Sequence, residues 1–395
     1  MTKNPFSPRH PVNPDYFVNR KGILEAFRRH LLSSAKTRPP KPDNISLLGN
    51  WGIGKTSMLR KFEDITLGSQ IEDIQAFTAF IELSPECSRN LPVFLDRTID
   101  EIERSFATRV SVKPKLRKEI KNWRISSIKA FGLTLDKKSK ETLSPITSFE
   151  DALRDLWRTL QNEGIDVAVL MYDDIHYLAK GSHESLYDLR SIFQRLPFDG
   201  CNYMVAITGK ENLFGQVREF AEPFTRFFDR HYLELFNGEE TERAIRLPLQ
   251  KVSSAITIAS DVIDRIYELT MGHPFFIHFI MHDLVDFVGE GTVNINEFES
   301  HWDKIWLHLE KEKFLSDYNS ASDNEKKLLA EIAGLDEMEF SPSDLKWRSG
   351  KSSMLARLDE KELLTKHGRG KYSIYHPLFR EYTRMKDKKL VSRRI

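Results

Sequence analysis

The chain has 395 residues, enough for two or three domains, and its 40% hydrophobic and 30% charged content excludes a disordered polymer and fits a globular protein. A formal net charge of +1 excludes a uniformly polyanion-binding surface, but the charge is unevenly spread. From Ser341 to Ile395 there are 15 Lys/Arg against 6 Asp/Glu, a net +9 that leaves −8 on residues 1–340, so any nucleic-acid contact is expected at the C-terminal end.

Cys87 and Cys201 are the only cysteines, far apart and without C-x-x-C spacing, which argues against a disulfide framework or a cysteine zinc site. The longest apolar run, Val167 to Tyr172, is too short to span a bilayer. The opening residues lack the apolar core of a secretion signal. The expectation is a soluble cytoplasmic protein with no membrane partner.

Asn4 to Pro14 is rich in proline and polar residues and reads as an extended arm, residues 1–16. After Phe17-Val18-Asn19-Arg20, the positions Ile23, Leu24, Phe27, Leu31 and Leu32 repeat at helical spacing. A proline-rich loop, Thr37 to Asp43, leads to the apolar run Ile45 to Leu48. Gly49, Asn50, Trp51, Gly52, Ile53, Gly54, Lys55, Thr56 and Ser57 then follow, with Gly49, Gly54, Lys55 and Thr56 completing the pattern G-x-x-x-x-G-K-[ST]. Glycines let backbone N–H groups curl round phosphate oxygens, and a following helix points its positive end at them. Lys55 is expected at the β- and γ-phosphates of a nucleotide, and the Thr56 hydroxyl on Mg²⁺.

A second strand is predicted at Phe77 to Leu83 and a helix at Leu91 to Phe106. The Lys/Arg-rich stretch Val112 to Lys140, with a hairpin expected within Ile125 to Leu135, reads as a solvated insertion in preference to a nucleic-acid patch. The helix Phe149 to Leu160 precedes Val167-Ala168-Val169-Leu170-Met171-Tyr172-Asp173-Asp174, an apolar strand ending in acid, as a buried parallel strand does when its C-terminal end lines a site. Asp173 is expected to hold Mg²⁺ directly or through water, and Asp174 to orient or deprotonate an attacking water. Tyr203 to Gly209 is a fourth strand; Thr208 near its end either contacts the γ-phosphate or the water, or is an ordinary strand-end threonine. His231 to Leu235 is the expected fifth strand, preceded by Arg226 and Arg230, each a candidate arginine finger or the partner of a local acid.

From Glu239 the pattern is helical: Glu239 to Leu249, Ser260 to Thr270, Pro274 to Val288 and Ile295 to Leu315. His278 and His282, four apart without a third ligand, read as helix packing. A last unit combines a helix capped by Asp323, a second from Ser341, a third over Lys351 to Glu360, and a hairpin turning at Gly368-Arg369-Gly370. The whole is an α/β protein: a P-loop parallel sheet over 17–237, a helical lid over 238–316, a winged helix-turn-helix over 317–385, and a basic tail over 386–395.

These motifs, in this order, resemble the AAA+/STAND P-loop ATPases, the nearest group being prokaryotic ATPases related to archaeal origin-recognition initiators. The resemblance rests on Phe17 to Arg20, the phosphate loop, Tyr172-Asp173-Asp174, Thr208 and Gly272-His273-Pro274, with His376 to Tyr382 similar to the end of their winged helix. It spans roughly Asn13 to Tyr382. It implies an ATP-driven switch, with Phe17, Val18 and Arg20 beside the adenine and Gly272 and Pro274 against the nucleotide. Three positions depart from the pattern: Asn19 stands where glycine is usual, Asp174 where Glu is usual, and Phe275 where the initiators carry a sensor arginine. Asn19 bears on the adenine pocket, the shorter Asp174 implies slow hydrolysis, and Phe275 favours a switch over a motor.

For duplex DNA, the expected contacts are Lys346, Arg348, Lys351, Ser352, Ser353 and Arg357 at the recognition helix, and Lys366, Arg369 and Lys371 on the wing. The alternatives are a winged helix that binds protein in a nucleotide-controlled signalling or assembly switch, and a pseudo-ATPase that only holds ATP or ADP. Self-association into a homo-oligomer is expected from the same resemblance.

Overall fold

The computed structural model describes residues 4–68, 74–88, 91–108, 123, 145–181, 183–215, 226–347 and 350–392. It divides into two compact units, one of residues 13–50 and 54–234, the other of residues 1–12, 51–53 and 235–395. The expected lid and winged helix both lie in the second. The hairpin expected at Ile125 to Leu135 lies outside the described residues.

The first unit is built on five parallel strands in the order β2-β3-β4-β1-β5: β1 Ile45–Leu48, β2 Ala76–Glu82, β3 Val167–Asp173, β4 Tyr203–Gly209 and β5 Asp229–Tyr232. Its helices are α1 Lys21–Lys36, α2 Lys55–Leu67, α3 Leu91–Thr108, α4 Pro145–Asn162, α5 His176–Gly181 and α6 His183–Arg195. β1, β3 and β4 are buried at every residue, because parallel strands covered by helices on both faces need apolar side chains throughout, not in alternation. One side of the sheet packs Phe94, Phe149, Leu153, Leu156, Tyr172, Phe193 and Tyr203 into a single core. α1 and α2 meet through Phe27 and Phe62, whose rings stack 3.9 Å apart.

The fifth strand begins two residues earlier than expected and ends at Tyr232. Its side chains are largely exposed, as on an edge strand, and backbone pairing sets its limits: Asp229 pairs with Ile45 and Tyr232 with Leu48. Apolar pattern carries no such information.

In the second unit come α7 Gly238–Lys251, β6 Ile256–Ile258, α8 Ser260–Thr270, α9 Pro274–Val288, β7 Gly291–Val293 and α10 Ile295–Leu309. A π-helical turn at Glu310–Phe314 carries α10 into α11 Leu315–Ser320. α12 Asp323–Gly334, β8 Glu339–Phe340, α13 Lys351–Glu360, β9 Leu364–His367, β10 Lys371–Ile374 and α14 Pro377–Ser392 complete it, with β8, β10 and β9 in one antiparallel sheet. Two expectations are corrected. The cap of α12 is Ser322, in a reciprocal capping box with Glu325, and Asp323 is its first helical residue. The helix expected from Ser341 is a three-residue 3₁₀ turn, Pro342–Asp344.

The N-terminal segment packs within this unit. Phe6 is buried and meets the His278 ring edge-on at 5.5 Å, while the Asn4 amide donates to the His282 carbonyl at 2.9 Å. Burial pushes His278 down to about 4, so it is a neutral packing residue over the usual range of pH.

Candidate functional site

In the first unit the phosphate-loop pattern leaves β1 and enters α2, the position that the sequence predicts for a phosphate cradle. Gly54 caps α2 with φ +97°, a left-handed conformation that suits glycine, and Lys55 and Thr56 open the helix. Lys55 Nζ donates to the carbonyls of Gly49 and Asn50, each at 2.9 Å, which holds the ammonium across the mouth of the loop.

The neighbouring strand ends converge on the same edge. β4 lies between β1 and β3, its register pairing Leu47 with Thr208 and Tyr172 with Ile207, and the Gly49 N–H donates to the Gly209 carbonyl at 3.3 Å. Asp173 closes β3 and is buried. The Thr208 hydroxyl donates to Asp173 Oδ1 at 2.5 Å and accepts the Asp174 N–H at 2.8 Å. One buried hydroxyl therefore joins the two acids to the strand between them and the phosphate loop. Both of these bonds are made within the protein.

Asp174 follows β3 with φ +58°, and its carboxylate, 41% exposed, lies 3.7 Å from His176 Nδ1. The left-handed conformation is tolerated by Asp and Asn better than by longer side chains, which gives the shorter acid a backbone reason. Asn19 and Arg20 are likewise left-handed, at φ +67° and +57°. Two successive positive-φ residues explain why glycine suits this place and why Asn is the serviceable replacement. Arg20 Nη2 donates to the Glu234 carbonyl, holding the segment from Phe17 to Arg20 beside the chain that leaves β5. Arg226 is exposed just before β5; Arg230, on β5, lies 5.7 Å from the Phe214 ring.

In the second unit, Gly272 has φ +74°, and a Cβ there would stand 1.8 Å from the Phe236 carbonyl oxygen. Only glycine fits. Pro274 is the first residue of α9, where a missing N–H costs nothing. Between them His273 is buried, its ring 5.6 Å from that of His376, which bonds the Thr270 carbonyl through Nε2 at 3.0 Å. Burial pushes both imidazoles down, His273 to about 3 with help from His376, and His376 to about 4. Residues 51–53 belong to this unit. The Trp51 carbonyl accepts from His273 Nε2 at 3.1 Å, and its ring meets Phe275 at 4.5 Å and the Lys313 ammonium at 3.7 Å. Gly52, at φ +73°, has His273 and Phe275 within 3 Å of where a Cβ would sit.

Neither a family model nor a curated protein matches this sequence. Among solved structures, the Walker-type ATPase of Pyrococcus abyssi is similar with a TM-score of 0.56 at 17% identity, over 93% of this chain and 99% of that one. The ORC2 protein of Aeropyrum pernix, solved as ADPNP–ADP complexes, is similar with a TM-score of 0.59 at 12% identity, over 94% of this chain and 96% of that one. The chain therefore shares the fold of these two proteins.

The residues expected at DNA differ in their surroundings. Lys346, Ser352, Lys366 and Lys371 are exposed, Lys371 with Glu339 at 3.7 Å. Ser353 donates to the Gly350 carbonyl. Lys351 is turned inward, its ammonium bonding the Pro342 and Leu345 carbonyls. Arg357 Nε donates to Glu325 Oε1 at 2.7 Å, and Lys361 Nζ to Glu325 Oε2 at 2.6 Å. Arg348 and the Arg369 side chain lie outside the described residues. No helix among the described residues is long and apolar enough to cross a membrane.

Two features of the candidate site are not legible in the sequence. His176 stands beside Asp174 because the chain turns at Asp174 and enters α5 at once, a turn that the sequence announces only by the end of the apolar run. The double engagement of Thr208 depends on β3–β4 adjacency, which no local pattern reveals.

Proposed function

We propose that this chain is an ATP-binding, slowly hydrolysing switch of the AAA+ type. The observation that carries the reading is the Asp173–Thr208–Asp174 constellation at the sheet edge that bears the phosphate loop. Ligands bind at the carboxyl ends of parallel strands in open α/β sheets. The A. pernix ORC2 structure, of the same fold, holds ADPNP and ADP, which supports a nucleotide as the occupant.

The donors fit Mg²⁺. Asp173 offers a buried carboxylate and Thr56 a hydroxyl, hard oxygen ligands of the kind that ion takes alongside phosphate oxygens and water. Bound there, the ion would neutralise charge on the phosphates. Lys55 supplies a second positive charge, and the backbone of Gly49 to Ser57 the cradle. Phe17, Val18 and Arg20 form the adenine side. Asp174 orients the attacking water. Its carboxylate is one methylene shorter than Glu and set by a left-handed backbone, which keeps turnover slow. Arg226 and Arg230, both exposed, are the candidates for an arginine finger presented to a neighbouring copy in a homo-oligomer.

Binding of a fluorescent ATP analogue, with turnover measured on the same preparations, tests the reading. Lys55→Ala should lose both, whereas Asp174→Ala should bind normally and lose turnover. Wild-type turnover no higher than that of Lys55→Ala would remove the enzymatic claim, and unaltered binding by Lys55→Ala would remove the site.

The C-terminal winged helix contacts duplex DNA through the exposed residues Lys346, Ser352, Lys366 and Lys371, while Arg357, also exposed, is held on Glu325. Phosphate contacts release counterions, so affinity should fall steeply with salt, and charge reversal at Lys366 and Lys371 should flatten that slope. Salt-independent binding, or none, would leave protein as the partner of this surface.

A further inference from the structure

Away from the phosphate-loop edge, three ligand-type side chains converge on β5. Asp229 and His231 alternate with Arg230 along the strand, so the two point to the same face while Arg230 points to the other. His30, on α1, reaches that face. His30 Nε2 lies 2.8 Å and His231 Nε2 2.9 Å from the same oxygen, Asp229 Oδ2, and the three ligand atoms all fall within 4.8 Å of one another. Backbone pairing holds the set from below: the Asp229 N–H donates to the Asn44 carbonyl at 2.8 Å, and Asp229 and His231 pair with Ile45 and Leu47 of β1.

We propose that His30, Asp229 and His231 form a binding site for a divalent first-row transition ion of the zinc type. Two imidazoles and one carboxylate are the donor set such ions take, and they are poorly suited to Mg²⁺ or Ca²⁺. Zn–N and Zn–O bonds of about 2.0–2.2 Å with tetrahedral angles separate ligand atoms by about 3.4 Å. Opening the observed 2.8 and 2.9 Å spacings to that value needs only small side-chain rotations.

A second observation points the same way. His30 Nδ1, the ring nitrogen that does not face Asp229, lies 3.8 Å from Asp43 Oδ2. Asp43 is itself placed by its N–H, which donates to Ser34 Oγ at 2.9 Å. A metal-bound imidazole ordinarily directs its other N–H at a carboxylate, which fixes the tautomer and strengthens the ligand. Three protein ligands leave a fourth position for water, reachable from solvent because Asp229 is nearly half exposed. The ion would clip α1 to the edge strand beside β1, and so brace the strand from which the phosphate loop leaves.

The test uses tag-free full-length protein, stripped with chelator and kept free of nucleotide and Mg²⁺. Titration with Zn²⁺ by calorimetry, and with Co²⁺ by its visible absorption, should show one saturable equivalent with the intense bands of a tetrahedral cobalt site. His30→Gln and His231→Gln should each weaken binding at least tenfold and abolish those bands. Asp43→Asn should keep the bands and weaken binding about 10–100-fold. Thr56→Ala should take up Zn²⁺ as the wild type does, which separates this ion from one held by Thr56 and Asp173. Absence of stoichiometric uptake, or unchanged binding in His231→Gln, would overturn the proposal. His231 lies on an edge strand, so that variant decides the matter if far-UV circular dichroism shows His30→Gln to be misfolded.

Discussion

Replacing Thr208 with Val tests the physical basis of the candidate site directly. The side chain is fully buried, and Val keeps its shape while deleting the hydroxyl. Two hydrogen bonds disappear: a charge-assisted one to Asp173 at 2.5 Å and one from the Asp174 N–H at 2.8 Å. A bond to a charged group contributes about 1.5–3 kcal/mol and a neutral one about 1, so the sum is about 2.5–4 kcal/mol. Because both partners stay buried or half-buried without the hydroxyl, little of that is recovered by the added methyl. The assay must isolate the first unit, and the chain provides a reporter. Both cysteines lie in that unit and are buried, so pulsed thiol labelling across a urea series follows its unfolding alone. Thr208→Val should lower the labelling midpoint by the equivalent of about 2.5–4 kcal/mol, and Thr208→Ser, which restores the hydroxyl, should recover most of it. A loss below about 1 kcal/mol would show that the hydroxyl does not bridge the acids and would remove the main support for the site.

Other expectations follow from single features. Gly272→Ala should destabilise the second unit by more than about 3 kcal/mol, seen as a lowered thermal transition in circular dichroism, because the new methyl meets the Phe236 carbonyl in a left-handed backbone. Asp174→Glu should cost about 1 kcal/mol in the labelling assay, since a longer side chain tolerates φ +58° less well. Glu325 is buried, which by itself raises its carboxyl, but hydrogen bonds from Lys361, Arg357 and Ser322 hold it down to about 2. Its folded value lies below its unfolded 4.5, so its stabilisation is present above pH 4.5 and is lost as pH falls toward 2. His273, His278 and His376 have folded values of about 3 to 4 against 6.5, so the unfolded chain binds more protons between those limits, and the second unit should weaken steadily from pH 6.5 down to about 4. Urea midpoints by tryptophan fluorescence from about pH 2 to 8 check both effects. Glu325→Gln should remove the lower arm, and a flat profile for the wild type would contradict both assignments.

Much of this protein was legible without coordinates because the signals are local. An apolar run covered on both faces, a glycine-rich turn before Lys-Thr-Ser and an amphipathic helix each declare themselves within a few residues, so the strand Ile45–Leu48 and the helices Ser260–Thr270, Pro274–Val288 and Lys351–Glu360 match the structure to the residue, and a helix follows the glycine-rich turn as expected. Misplacements came where pairing or capping outweighs pattern. β5 is set by hydrogen bonds to β1, and the cap at Ser322 by reciprocity with Glu325.

Sequence by itself determined which residues have the chemistry: the phosphate loop, the acids Asp173 and Asp174, and the basic C-terminal unit. Only the tertiary structure decided how those residues are used. Strand order puts the Thr208 hydroxyl between two acids, a buried carboxylate ties down Arg357, and a helix brings His30, some 200 residues away, onto Asp229. Each depends on contacts between distant segments, whose partners are chosen by the packing of the whole sheet and not by any residue's neighbours in the chain.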